Sequence, residues 1–139
     1  MEGVTTLSNG GVVAYPTDTL YGLGADPFNV RAIEQVFVIK GRPLGMPLPL
    51  LLSGIHALPL VSDQIPVVAW QLAERFWPGA LTLVLPKAPN VPDLVTSRGW
   101  TIGVRVPDHP VPLALAEGIG GALIGTSANR SGDLAPRTA

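Results

Sequence analysis

Residues 81–106 read LTLVLPKAPNVPDLVTSRGWTIGVRV, and this stretch decides the fold. Leu81–Leu85 and Thr101–Val106 are short runs of aliphatic and β-branched residues, the pattern of strands. The Pro- and Asn-rich connection between them is too short for the standard crossover helix that a parallel pair needs. The sheet is therefore expected to be mixed rather than purely parallel.

Upstream, Pro66 suits the first position of a helix through Val67, Trp70, Leu72, Ala73 and Phe76, ending at Trp77-Pro78-Gly79. Leu48–Leu52 reads as a buried strand. Asn29 can cap a helix from Val30 towards Ile39 with Ile33, Val36 and Phe37 on one face. Gly41 is placed to end that helix, and Pro43 prevents its return. Gly11–Tyr15 reads as a buried, central strand stopped by Pro16, and residues 16–24 as a loop crowded with hydroxyls. Downstream, Pro110–Glu117 is a third helix closed by Gly118, and Ala122–Gly125 a last strand opening into Thr126–Gly132. Strands alternating with helices indicate an α/β domain.

With 139 residues the chain suits one domain. A hydrophobic fraction of 47% excludes intrinsic disorder. The net charge of −1 disfavours a non-specific nucleic-acid binder. Without cysteine, disulfides, zinc–thiolate sites and thiol nucleophiles are excluded. The greasiest stretch, Pro47–Val61, is interrupted by Pro49, Ser53, Gly54, His56 and Pro59, so it makes no membrane span. Met1–Thr6 has no basic or apolar leader character. A cytoplasmic protein with no membrane partner is expected.

Lysine occurs only at Lys40 and Lys87. Lys40-Gly41-Arg42-Pro43 sets two positive charges at a helix C-terminus. There they complement the helix dipole by about 0.3–1 kcal/mol, or clamp a phosphate at roughly 1.5–3 kcal/mol per charge-assisted bond. The tripeptide leaves both open. Thr17, Asp18, Thr19 and Tyr21 gather hydroxyls and a carboxylate at a strand end, where α/β folds collect ligands; an ordinary Asx turn is the alternative. Ser127-Ala128-Asn129 also follows a strand and serves either a ligand or a cap. Arg105 ends a strand before Pro107, where arginine is ordinarily solvated, and His109 reads as a turn residue rather than a general base. No GxGxxG, P-loop, HExxH or GxSxG pattern occurs. With only two histidines, no protein-built metal site is expected.

Taken in order, the segments PTDTLYGLG (16–24), KGRP (40–43) with Pro47-Leu48, FWPGALTLVL (76–85), GVRVPDHP (103–110) and TSANRSG (126–132) resemble the YrdC family. The resemblance spans nearly the whole chain and includes the family's KxR…SxN signature. It implies an α/β fold with a twisted mixed sheet, flanking helices and a concave ligand cavity, in a single domain over residues 1–139. Family members continue beyond the position of Ala139 into a Ser-Thr-containing strand, and Asp133–Ala139 is a polar loop that covers nothing. The domain is therefore expected to lack its C-terminal segment.

The resemblance further implies a threonylcarbamoyl-AMP synthase. L-threonine, bicarbonate and ATP give threonylcarbamoyl-adenylate and pyrophosphate, and downstream transferase machinery places the group on tRNA as t6A. By matching positions, Lys40 and Arg42 would be catalytic, neutralising charge on the ATP phosphates, with Thr101, Ser127 and Asn129 on the nucleotide side. Thr19, Arg105 and Gly125 would hold threonine, Arg105 by its carboxylate. Thr17 and Tyr21 would line the pocket. Mg2+ would accompany ATP, held mostly by phosphates and water. Three positions depart from the family pattern: Met46 stands where longer relatives often carry a polar nucleotide contact, Leu51 where many have a histidine near threonine that short bacterial members commonly lack, and Ala135 in place of a frequent serine. Two other activities fit the same fold: a carbamoyl-adenylate domain of a carbamoyltransferase, and a binder of double-stranded RNA. Nine basic residues against ten acidic ones confine any RNA patch to a local one, with affinity falling steeply in salt.

Overall fold

Six strands form one sheet in the order β1-β2-β6-β3-β5-β4 in the computed structural model, which describes residues 2–16, 21–40, 48–96 and 99–127. In chain order the elements are α1 (Glu2–Ser8), β1 (Val13–Pro16), β2 (Tyr21–Ala25), α2 (Val30–Lys40) and β3 (Leu50–Leu52). A 3₁₀ turn (Ile55–Ala57) leads into α3 (Leu58–Val61), followed by α4 (Val67–Phe76) and β4 (Leu83–Pro86). β5 (Thr101–Arg105), α5 (Pro110–Gly118) and β6 (Ala122–Ser127) complete the described chain. β4 and β5 pair antiparallel, with Leu85 opposite Ile102, as their short connection requires. β3 and β5 run parallel and the other pairings are antiparallel, so the sheet is mixed.

Side chains alternate across this sheet and divide the core in two. Leu50, Leu52, Ile102, Val104 and Ile124 face the larger cluster, which buried residues of α2, α3 and α4 complete. Leu51 and Leu123 face the other way, towards a smaller cluster with Tyr15, Leu7 of α1, and Leu115 and Ala116 of α5. Close helix contact there depends on glycine: a Cβ on Gly118 would stand 2.4 Å from Val4 Cγ2.

Four expectations are corrected. β1 is an edge strand rather than a central one, and only Tyr15 of its four residues is buried. Pro16 does not stop it but pairs with Tyr21, a position an edge strand tolerates because no outer neighbour needs the missing N–H. Part of the loop expected over residues 16–24 is strand β2, whose alternate residues Gly22 and Gly24 erase the hydrophobic pattern. Pro66 is the N-cap of α4 rather than its first residue. Helices α1 and α3 have no counterpart in the sequence reading; α1 is too polar and too short to be stable without packing on α5.

The cap on α2 is as expected. The Asn29 side-chain Oδ1 accepts the Ala32 N–H at 3.2 Å, satisfying one orphan donor of the first turn. Ile33, Val36 and Phe37 are buried on its inner face. Asn29→Ala is expected to lower stability by about 1 kcal/mol, read as a lower urea midpoint with an unchanged slope.

Candidate functional site

The pairing registers put a specific set of residues on the face shared by Tyr15. Tyr15 lies opposite Gly22, Gly22 opposite Ser127, and Gly24 opposite Gly125. Two residues back along β6, Leu123 pairs with Leu51, which pairs with Arg105 on β5. Thr101 lies four residues up the same strand, so it shares the Arg105 face. Three positions expected from the sequence to serve a ligand (Thr101, Arg105 and Gly125) therefore lie on one side of the sheet. The larger apolar cluster lies on the opposite side, and the cavity beside Arg105 opens on this one.

A cavity of about 310 Å³ opens where β5 ends, lined by Arg105, Tyr15, Leu51, Ala80, Asp108 and His109 among others. The Arg105 guanidinium reaches the Gly79 carbonyl with a long 3.5 Å hydrogen bond. Gly79 in turn donates its N–H to Val106 at 2.9 Å, tying the turn after α4 to the end of β5. A Cβ on Gly79 would lie 2.7 Å from the Phe76 carbonyl oxygen, so the turn holds this shape only with glycine. His109 caps α5, its Nδ1 accepting the Val111 N–H at 3.2 Å. The turn role expected for it is therefore a capping role at the cavity rim.

Tyr15 is the site residue that sequence reasoning missed. Its ring lies over bare backbone: a Cβ on Gly22 would stand 2.9 Å from the tyrosine hydroxyl oxygen, and one on Gly125 3.2 Å from it. The side chain is only 4% exposed. Burial pushes the phenol from its ordinary 10.0 up to about 12, against a smaller opposing pull from the Arg105 charge. The hydroxyl therefore stays protonated throughout the neutral range. The available signal was an aromatic on one hairpin strand facing glycine on the other, which shows only once the register is known.

The remaining expected residues fall in three groups. Lys40 ends α2 on its buried face and is 4% exposed; it does not line the cavity. Tyr21 pairs with Pro16 and lies on the face opposite Tyr15, outside the cavity lining. Thr17, Thr19, Arg42 and Asn129 lie outside the described residues, as do Met46 and Ala135. Leu51, the departure from a family histidine, makes the cavity wall apolar beside Arg105. A Cβ on Gly125 would collide with this leucine at 2.4 Å, and the Gly125 N–H is donated to the Pro49 carbonyl at 3.2 Å.

A second cavity, of about 410 Å³, takes part of its lining from the same two segments, 77–80 and 106–113, through Trp77, Pro78, Val106 and Leu113. Its lining includes Ile55, Ala73, Trp77, Val106 and Leu113, with Glu74 as the one charged group among the described residues. With no cation among its described lining residues, it suits an anionic substrate less well than the cavity at Arg105. Among the described residues no three His, Asp or Glu side chains converge to hold a metal ion. None of the described helices is long and apolar enough to cross a membrane.

Comparison with known proteins places this geometry among relatives. The Sua5–YciO–YrdC family model, described as "Telomere recombination", matches residues 5–139. A threonylcarbamoyl-AMP synthase of Pyrococcus abyssi is 41% identical over 133 residues, which is 96% of this chain and 39% of that protein. One from Saccharophagus degradans is 41% identical over 129 residues, 93% of this chain and 68% of that protein. The crystal structure of P. abyssi Sua5 complexed with L-threonine superposes with a TM-score of 0.91 at 40% identity, covering 97% of this chain and 40% of that one. The chain thus spans about two-fifths of the archaeal relative and two-thirds of the bacterial one.

Proposed function

The chain belongs to the Sua5–YciO–YrdC family, and on that premise we propose that it forms threonylcarbamoyl-adenylate from L-threonine, bicarbonate and ATP, releasing pyrophosphate and water. The observation that carries this reading is the cavity at the end of β5. It offers one guanidinium for a carboxylate, a neutral hydroxyl, and an apolar wall from Leu51 and Ala80. That is the chemistry of a small hydroxylated amino acid, on a fold shared with a relative whose structure was solved with L-threonine.

In this mechanism Arg105 holds the threonine carboxylate and leaves the amine free to bond to the carbon of bicarbonate, with loss of water. A carbamate oxygen then attacks the α-phosphorus of ATP, and the bond to the departing pyrophosphate breaks. No side chain needs to act as nucleophile, because alignment of the two substrates supplies much of the rate. Negative charge builds on the leaving group, which fixed cations stabilise. Lys40 and Arg42 are assigned that role, with Thr101, Ser127 and Asn129 on the nucleotide and Thr19 and the Gly125 backbone on threonine. Thr17 belongs to the surrounding pocket, and Tyr21, on the opposite face of the sheet, does not. Mg2+ bound to ATP would neutralise phosphate charge, and the site would hold it mainly through the nucleotide's phosphates and water. The product is a mixed anhydride, an activated acyl group suited to a transferase that delivers it to tRNA in the cytoplasm.

The test is pyrophosphate release with each substrate omitted in turn. Release should require ATP, threonine and bicarbonate together. Release that ignores threonine but needs carbamoyl phosphate would instead make this a carbamoyl-adenylate domain. RNA binding that weakens steeply with salt, without ATP binding, would make it an RNA-binding module.

A further inference from the structure

The geometry points to Tyr15 as a specificity-determining residue of this site, its hydroxyl hydrogen-bonding the side-chain hydroxyl of the amino acid whose carboxylate Arg105 holds. This assignment rests on the synthase reading above and adds to it a residue that selects the substrate.

Three observations support it. Tyr15 lines the same cavity as Arg105 and is 4% exposed. Among the described residues no hydrogen-bond partner stands at its hydroxyl. A buried hydroxyl without a partner lowers stability, and phenylalanine would fill the same space without that penalty. The second observation is one of position. The ring is laid on Gly22, Gly24 and Gly125, three residues whose missing side chains make room for it. The backbone is thus shaped to hold a tyrosine in place. The third is chemical. The phenol keeps its proton at neutral pH, so it both donates and accepts and matches an alcohol. Beside it Leu51, in place of a polar side chain, leaves Tyr15 to supply the polar contact on that wall and offers carbon to a methyl group.

The experiment is calorimetric titration of the full chain and of its Tyr15→Phe variant with L-threonine and with L-2-aminobutyrate, which lacks only the hydroxyl. The unaltered chain should prefer threonine. In Tyr15→Phe, threonine should bind about tenfold more weakly, 2-aminobutyrate should bind as before, and the ligand-free Tm should hold or rise. A preference that survives the substitution, or an equal weakening of both ligands with a lower Tm, would overturn the assignment of Tyr15 alone. Failure of the unaltered chain to bind threonine would overturn the synthase reading and this inference with it.

Discussion

Arg105→Ala should raise the threonine concentration required for half-maximal pyrophosphate release by about 10- to 100-fold, and leave ATP affinity within about twofold. A hydrogen-bonded charge pair contributes roughly 1.5–3 kcal/mol, and each 1.4 kcal/mol is about tenfold in affinity. The fold should survive, because Arg105 is half-buried and its guanidinium makes only a long bond to the Gly79 carbonyl among the described residues. What holds β5 in place is Ile102 and Val104 on its other face, 2% and 0% exposed. Removing the arginine also removes the pull that opposes burial at Tyr15, so the phenol becomes harder to ionise and adds no negative charge. Arg105→Lys should fall between the two, since an ammonium keeps the charge but loses the planar fork that meets a carboxylate. Titration of each ligand beside a thermal melt decides the matter. Equal loss of threonine and ATP binding with a lowered Tm would make Arg105 a structural residue.

The place of Arg105 at a strand end was legible in the sequence, but a role for it came only from the family resemblance, because an arginine at that position is ordinarily solvated. Tyr15 was not legible, and the reason is physical. The glycines under its ring, Gly22 and Gly24, are the residues that remove β2 from view, since a strand is recognised by alternating apolar side chains and these have none. The feature that makes room for the tyrosine thus hides the strand that holds it. Much the same applies to β1: an apolar run shows that something covers it but not how many strands flank it, so an edge was read as a centre. Local signals fared better. The Asn29 cap, the cluster of Ile33, Val36 and Phe37, and the antiparallel β4–β5 pair all depend on residues near one another in sequence. Helix α1 depends on α5, more than a hundred residues away, and nothing local announced it.

Gly125→Ala should be the most damaging single methyl on this sheet. The added carbon would lie 2.4 Å from Leu51 Cδ1, 2.6 Å from Leu51 Cγ and 3.2 Å from the Tyr15 hydroxyl oxygen. Leu51 is 4% exposed and packed against the smaller core cluster, so it cannot simply swing into solvent. Overpacking of this kind costs about 1–3 kcal/mol, or a fall in Tm of roughly 5–10 °C for a domain of this size. Since Leu51 and Tyr15 both line the cavity, the displacement is carried into the site, and threonine binding should fall with stability. Gly103→Ala is the control. It lies on the same face, but its added carbon would meet only Thr82 Cγ2, at an ordinary 3.4 Å, and the change should stay within about 0.5 kcal/mol. A double-mutant cycle identifies the cause. Leu51→Ala alone opens a cavity and destabilises, but in its presence the new methyl on residue 125 has room. The combined cost should therefore fall short of the sum by about 1–2 kcal/mol. Strict additivity would mean that the collision is relieved elsewhere, and that Leu51 does not transmit it to the threonine cavity.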